Sequence, residues 1–121
     1  MQFKEIIGGD KVKNYLTEMS NNNKLAHAFL LEGSQNSPKL LFAFAFAQYI
    51  NCFNHYENDS CGDCPSCIKH KNLNHPDLNI IFPVLSISKI KKPISDNFLP
   101  EWKKEIRENP YLNIEQWFSS F

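Results

Sequence analysis

The stretch Ala26-His-Ala-Phe-Leu-Leu-Glu-Gly33-Ser-Gln-Asn-Ser-Pro38-Lys39-Leu40, running straight into Leu41-Phe-Ala-Phe-Ala-Phe-Ala-Gln-Tyr-Ile50, decides how this chain is read. Residues 26–31 form a short apolar run bounded by Lys24 and by Glu32-Gly33, a length that suits a buried strand better than a helix. Beyond it, Phe42, Phe44 and Phe46 alternate with Ala43, Ala45 and Ala47, which superficially resembles a strand period. Both alternating faces are apolar, so the alternation carries little information. Length, three alanines and Pro38 at a first helical position after a Ser37 cap favour a helix, buried on most sides.

A strand, a loop and a helix in that order are where a Walker A loop, G-x-x-x-x-G-K-[ST], would lie. Gly33 matches the first glycine and Lys39 the lysine, but Pro38 replaces the second glycine and Leu40 the Ser/Thr. Proline has no N–H to turn onto a phosphate and a fixed φ, and leucine cannot hold a magnesium ion. The geometry is expected to survive without the chemistry, with Gly33 and Lys39 as remnants of a nucleotide loop. The plainer reading of Lys39 is a solvated lysine in a helix's first turn.

Upstream, Gly8-Gly9 signals a turn and Asp10 a cap, and Val12, Tyr15, Leu16 and Met19 recur at the spacing of one amphipathic helix. Downstream, residues 77–83 read as a second strand stopped by Pro83. Residues 86–100 read as a basic loop and residues 100–108 as a short helix with Trp102 and Ile106 on one face. Leu112, Ile114, Trp117 and Phe118 offer anchors for a helical tail, expected to be partly self-packed. Two helix-linked strands and further helices predict an α/β chain, although a parallel sheet buried on both faces wants more strands than two.

With 121 residues there is room for one domain at most. Thirteen Lys+Arg balance 13 Asp+Glu, so no global field draws the chain to nucleic acid or to an anionic membrane. A composition 42% hydrophobic and 13% aromatic is that of a globular protein. The longest mostly apolar stretch, from Leu40 to Ile50, is shorter than the ~20 residues a membrane span needs. Residues 1–7 lack the apolar run and cleavage site of a signal peptide. These features predict a soluble, cytoplasmic chain.

Cys52, Cys61, Cys64 and Cys67 crowd into sixteen positions as C-x8-C-x2-C-x2-C. In a reducing compartment such clustering reads as a metal site rather than as disulfides. Four thiolates are what a tetrahedral structural zinc site consumes, and Gly62 and Pro65 favour tight turns between ligands. A site closed by four protein ligands is structural and not catalytic. An iron–sulfur cluster is the main rival, but Lys71 stands where a ferredoxin-type fourth cysteine belongs. His55, His70 and His75 lie close by; one of them could replace Cys52, the outlying ligand, though loop residues with local hydrogen bonds are the simpler reading. Residues 52–71 are expected to be an irregular loop held by the metal.

Phe3-Lys-Glu-Ile-Ile-Gly8, Ala26-His-Ala-Phe-Leu-Leu-Glu-Gly33, the loop position, Ala47-Gln-Tyr-Ile-Asn-Cys52, Cys61-Gly-Asp-Cys64-Pro-Ser-Cys67 and His75-Pro-Asp77 follow in that order. Over residues 3–83 the chain resembles the N-terminal part of bacterial DNA polymerase III clamp-loader subunits of the delta-prime or gamma/tau type. The degenerate loop and His75-Pro76-Asp77 favour delta-prime. The resemblance implies part of an AAA+ P-loop unit, three-layered with an incomplete sheet, carrying a zinc module at 52–71 and a basic loop with a Trp-containing helical tail at 86–121. It implies a non-catalytic subunit, inert toward ATP, that helps to load the sliding clamp onto primed DNA. Its implied partners are the gamma/tau and delta subunits, with clamp and DNA reached through the complex, and its implied zinc ligands are Cys52, Cys61, Cys64 and Cys67.

No Walker B stretch, arginine-finger segment, lid or collar follows, so a truncated gene product or gene fragment is expected, prone to aggregation. Two alternatives remain. A gamma/tau-type subunit that binds ATP would need the backbone and magnesium ligand that Pro38 and Leu40 remove. A free-standing zinc module that binds DNA or protein would use a basic patch of Lys89, Lys91, Lys92, Lys103, Lys104 and Arg107, which reads more simply as solvated surface.

Overall fold

Two glycines with positive φ, Gly8 at 78° and Gly9 at 71°, turn the chain out of a short 3-10 segment, Phe3–Glu5, into helix α1, Asp10–Asn21. Gly9 precedes the helix and Asp10 is its first residue rather than its cap. A Cβ on Gly9 would sit 2.4 Å from Phe42 Cζ, so the glycine serves both the turn and the packing. Leu16 and Thr17 are the buried residues of α1, whereas Val12 and Tyr15 are exposed. This is a computed structural model of the chain, and it describes residues 1–34, 36–86 and 92–120. The chain divides into two compact units, Met1–Leu78 and Asn79–Phe121.

The first unit is built on α2, Lys39–Asn51, which buries Leu41, Phe42, Phe44, Ala45, Phe46, Gln48 and Tyr49. The Phe/Ala run is thus a helix, with Pro38 just ahead of its first turn. Phe3, Ile6 and Leu16 join this core, and Phe3 packs against Tyr49 with ring centroids 6.0 Å apart. Helix α3, Pro65–Lys71, follows the loop from 53 to 64.

The α/β reading does not hold. The described residues contain no strand and no sheet; the elements are α-helices and short 3-10 segments. Residues 26–31 run without regular structure, and Leu30 is 82% exposed. Phe29 of that run meets the ring of Phe46 edge-on at 5.3 Å. A strand exists only through its ladder with a neighbour, and neither apolar run has one here. The second run also turns early, Leu78 N donating to His75 O at 3.0 Å, and beyond the turn Ile81 is 89% exposed while Phe82 is buried. The three-layer P-loop unit with a partial sheet is therefore replaced by a helical arrangement.

In the second unit, α4 spans Leu99–Glu108 with Pro100 in its first turn and α5 spans Ile114–Ser119. Trp102 and Ile106, four apart, share the buried face of α4 as their spacing predicts. Phe82 stacks on Trp102 at 4.9 Å and meets the edge of Trp117 at 5.5 Å. Trp117 Nε1 donates to Pro83 O at 2.7 Å, satisfying its polar edge inside the cluster. A 3-10 turn, Ser95–Phe98, replaces part of the expected loop and buries Phe98. Lys89 and Lys91 of the expected basic patch, and Phe121 of the tail, lie outside the described residues. Among the described residues, no helix is long and apolar enough to cross a membrane.

Candidate metal centre

The four cysteines come from three pieces of chain. Cys52 follows the last residue of α2, and Cys61 sits on the loop, next to Gly62 at φ 79°. Cys64 caps α3, its sulfur accepting from Cys67 N, and Cys67 lies in the first turn. The last seven residues of the expected irregular loop are therefore helical. Pro65 at the first helical position is suited to that start, since it has no N–H to leave unpaired.

All four Sγ atoms lie within 4.8 Å of one another. Cys52 and Cys61 are 3.5 Å apart, Cys61 and Cys67 3.9 Å, and Cys52 and Cys64 4.0 Å. A disulfide requires about 2.05 Å, and all four cysteines are free. Zinc–sulfur bonds of about 2.3 Å in a tetrahedron place sulfurs roughly 3.8 Å apart, so the cluster has the dimensions of a four-thiolate site. Cys52 and Cys67 are buried, the other two partly so.

Backbone groups already point at the sulfurs. Cys61 N donates to Cys52, Cys64 N to Cys61 and Cys67 N to Cys64, each at 3.4 Å. Burial resists ionisation of Cys64, but the Phe53 and Cys67 N–H groups and the thiols of Cys67 and Cys61 overcome it and take Cys64 down to about 6. Burial pushes Cys67 up to about 12 and raises Cys52, each beside its neighbouring sulfurs. Burial therefore works against ionisation of Cys52 and Cys67. A soft cation held by the four sulfurs would supply positive charge to offset that cost, so the donor set fits such an ion.

The loop is fixed from outside by residues the sequence did not single out. Asp59 Oδ1 accepts from Phe3 N at 3.0 Å and from Ser60 N at 2.8 Å, and its Oδ2 accepts from Lys4 N at 3.1 Å. Gln48 Nε2 donates to Ser60 Oγ at 3.0 Å. A glutamine within the apolar stretch of α2 was the available signal. The histidines are not among the sulfurs' partners. His55 Nδ1 lies 2.8 Å from Tyr56 O, and His75 Nδ1 accepts from Asp77 N at 3.1 Å. His70 is buried on α3, against Asn51. Burial, then the neighbouring His75 and N-terminal charge, push His70 down to about 4 against a smaller pull from Asp77.

Gly33 and Lys39 also meet, though not as a phosphate cradle. Lys39 Nζ donates to Gly33 O at 3.0 Å, and Ser37 Oγ donates to Ser34 O at 2.7 Å, so the loop closes on its own polar groups. A Cβ on Gly33 would lie 2.3 Å from Ser37 Oγ.

A family model described as DNA polymerase III, delta subunit, matches residues 8–118. The chain is 32% identical over 80 residues to DNA polymerase III subunit delta' of Bacillus subtilis, covering 65% of this chain and 24% of that protein. It is 30% identical over 67 residues to subunit gamma/tau of Mycoplasma genitalium, covering 55% of this chain and 11% of that one. Subunit tau/gamma of Haemophilus influenzae is 29% identical over 76 residues, 63% of this chain and 11% of its own length. The chain thus spans between 11% and 24% of the length of these relatives. No solved structure matches it.

Proposed function

The chain belongs to the family described as DNA polymerase III, delta subunit, and on that premise we propose that it is a non-catalytic component of the clamp loader, helping to place the sliding clamp on primed DNA in the cytoplasm. Its partners are the gamma/tau and delta subunits, and it reaches clamp and DNA through them. Cys52, Cys61, Cys64 and Cys67 hold one structural zinc, within a module over residues 52–71 followed by a Trp-containing tail over residues 86–121. The zinc neutralises the sulfurs and ties the end of α2 to α3; the chain's own residues do no chemistry through it.

The family match across residues 8–118, with the four sulfurs gathered within 4.8 Å, carries this reading. Gly33 and Lys39 are vestiges of a nucleotide site. Pro38 offers no N–H to a phosphate, Leu40 no oxygen to magnesium, and Lys39 is engaged by Gly33 O. Sedimentation of the zinc-loaded chain with gamma/tau and delta subunits of its own organism tests the assembly role. Co-sedimentation is expected, with no calorimetric heat on adding magnesium-ATP to the chain alone. Failure to associate contradicts the assembly role, and heat from magnesium-ATP points to the gamma/tau-type alternative.

A further inference from the structure

Three of the four sulfurs ride on two helices: Cys52 at the end of α2, Cys64 and Cys67 at the start of α3. A tetrahedral site tolerates errors of only about 0.2 Å in its bonds, so something must hold those two helix ends in register. Apart from the sulfurs, a side-chain pair joins them. Asn51, adjacent to Cys52, has Nδ2 3.0 Å from Nε2 of His70, three residues beyond Cys67 on α3. His70 is 3% exposed, and its ring stacks on His75 at 4.3 Å with an interplanar angle of 23°. His75 is itself anchored by Asp77 N. The turn that brings it back over α3 passes through Leu73 at φ 56°, with Leu73 N donating to His70 O at 3.0 Å.

We propose that Asn51 and His70 are positioning residues of the metal centre: their hydrogen bond, braced by His75, latches α2 to α3 so that Cys52 meets the sulfurs of α3 in coordinating geometry. The inference rests on the zinc reading above and adds residues that are not themselves ligands. With Asn51 Nδ2 as the donor, His70 Nε2 accepts and carries no proton, so Nδ1 is the protonated nitrogen of the neutral ring. The latch acts before the metal arrives. It restricts the approach of the two helix ends and lowers the ordering cost of closing the site. Outer residues of this kind typically contribute 10–100-fold to metal affinity.

Zinc affinity of the full chain, measured by competition with a chelator of known affinity, tests this, with cobalt substitution to count thiolates by absorption. His70→Phe keeps a ring against His75 and removes the nitrogen; a 10–100-fold weaker zinc affinity is expected, with the four-thiolate cobalt spectrum intact. His70→Gln, whose terminal amide can stand in for Nε2, is expected to recover most of the loss. Asn51→Ala approaches the same bond from the partly exposed side of α2, which covers the case in which His70→Phe does not fold. The double variant is expected to be no weaker than the poorer single one, because both remove one interaction. Unchanged affinity in Asn51→Ala and in a folded His70→Phe overturns the latch while leaving the zinc site standing, as do losses that add in the double variant. A wild-type chain that binds neither zinc nor cobalt overturns the zinc reading itself, and the latch with it.

Discussion

A single missing Cβ sets the meeting of α1 and α2. Gly9 has φ 71°, and a methyl there would fall 2.4 Å from Phe42 Cζ, a ring that is itself buried. Gly9→Ala therefore combines backbone strain with overpacking and is expected to cost on the order of 1–3 kcal/mol, read as a lower urea midpoint at unchanged slope. The sequence marked Gly8-Gly9 as a turn, which it is, but could not show that an aromatic ring thirty-three positions on fills the space a side chain would need. The histidines divide similarly. His55 and His75 make the local hydrogen bonds expected of loop residues, whereas His70 is buried, because residues 65–71 form a helix that the short, cysteine-rich stretch did not announce. The folded chain holds His70 neutral down to about pH 4, against an ordinary value of 6.5. Between these values the unfolded chain binds the extra proton, so this residue's contribution to stability falls as pH drops from 6.5 toward 4 and is flat above 6.5. Thermal melts of wild type and His70→Gln across that range are expected to show the wild-type advantage shrinking on acidification. A difference independent of pH contradicts the assignment, and acid loss of metal is common to both chains.

Among the elements, α2 was legible because thirteen helical residues rich in alanine and phenylalanine leave few other ways to bury so many rings. The run 26–31 was not, because apolarity reports a need for burial and not the presence of a pairing edge. Leu30→Lys distinguishes the two situations. With Leu30 82% exposed the substitution is expected to change stability by less than about 0.5 kcal/mol, whereas in a buried strand it would unfold the chain. Helix α5 is six residues long and depends on its start, where Asn113 accepts from Gln116 N at 2.8 Å and Gln116 Oε1 accepts from Asn113 N at 3.0 Å. Asn113→Ala is expected to cost about 1 kcal/mol, seen as faster amide exchange at Gln116 and Trp117. The four-cysteine pattern was the most legible feature, since spacing alone restricts the sulfurs to one small volume. Cys52 looked like the outlier because eight residues separate it from Cys61, and the end of α2 brings it back to the other three.

At the scale of the whole molecule, the chain passes from one compact unit to the other between Leu78 and Asn79, inside the run read from sequence as a single strand. That misreading hid the change, because a strand would have carried the apolar residues on both sides of it into one sheet. Each unit has its own kind of core: phenylalanines and Tyr49 around α2 in the first, Phe82 with two tryptophans in the second. The first unit draws α2, the loop from 53 to 64 and α3 onto one cluster of sulfurs, so a metal bound there would be coupled to its folding. On the proposed function, this cluster holds one zinc as a structural part of a replication subunit. Elemental analysis with native mass spectrometry on chain purified without chelator addresses it directly, alongside Cys61→Ser. One zinc per wild-type chain, and a loss of most of it in Cys61→Ser, is the expected result. Metal-free protein with four reduced, freely titrating thiols would contradict the claim.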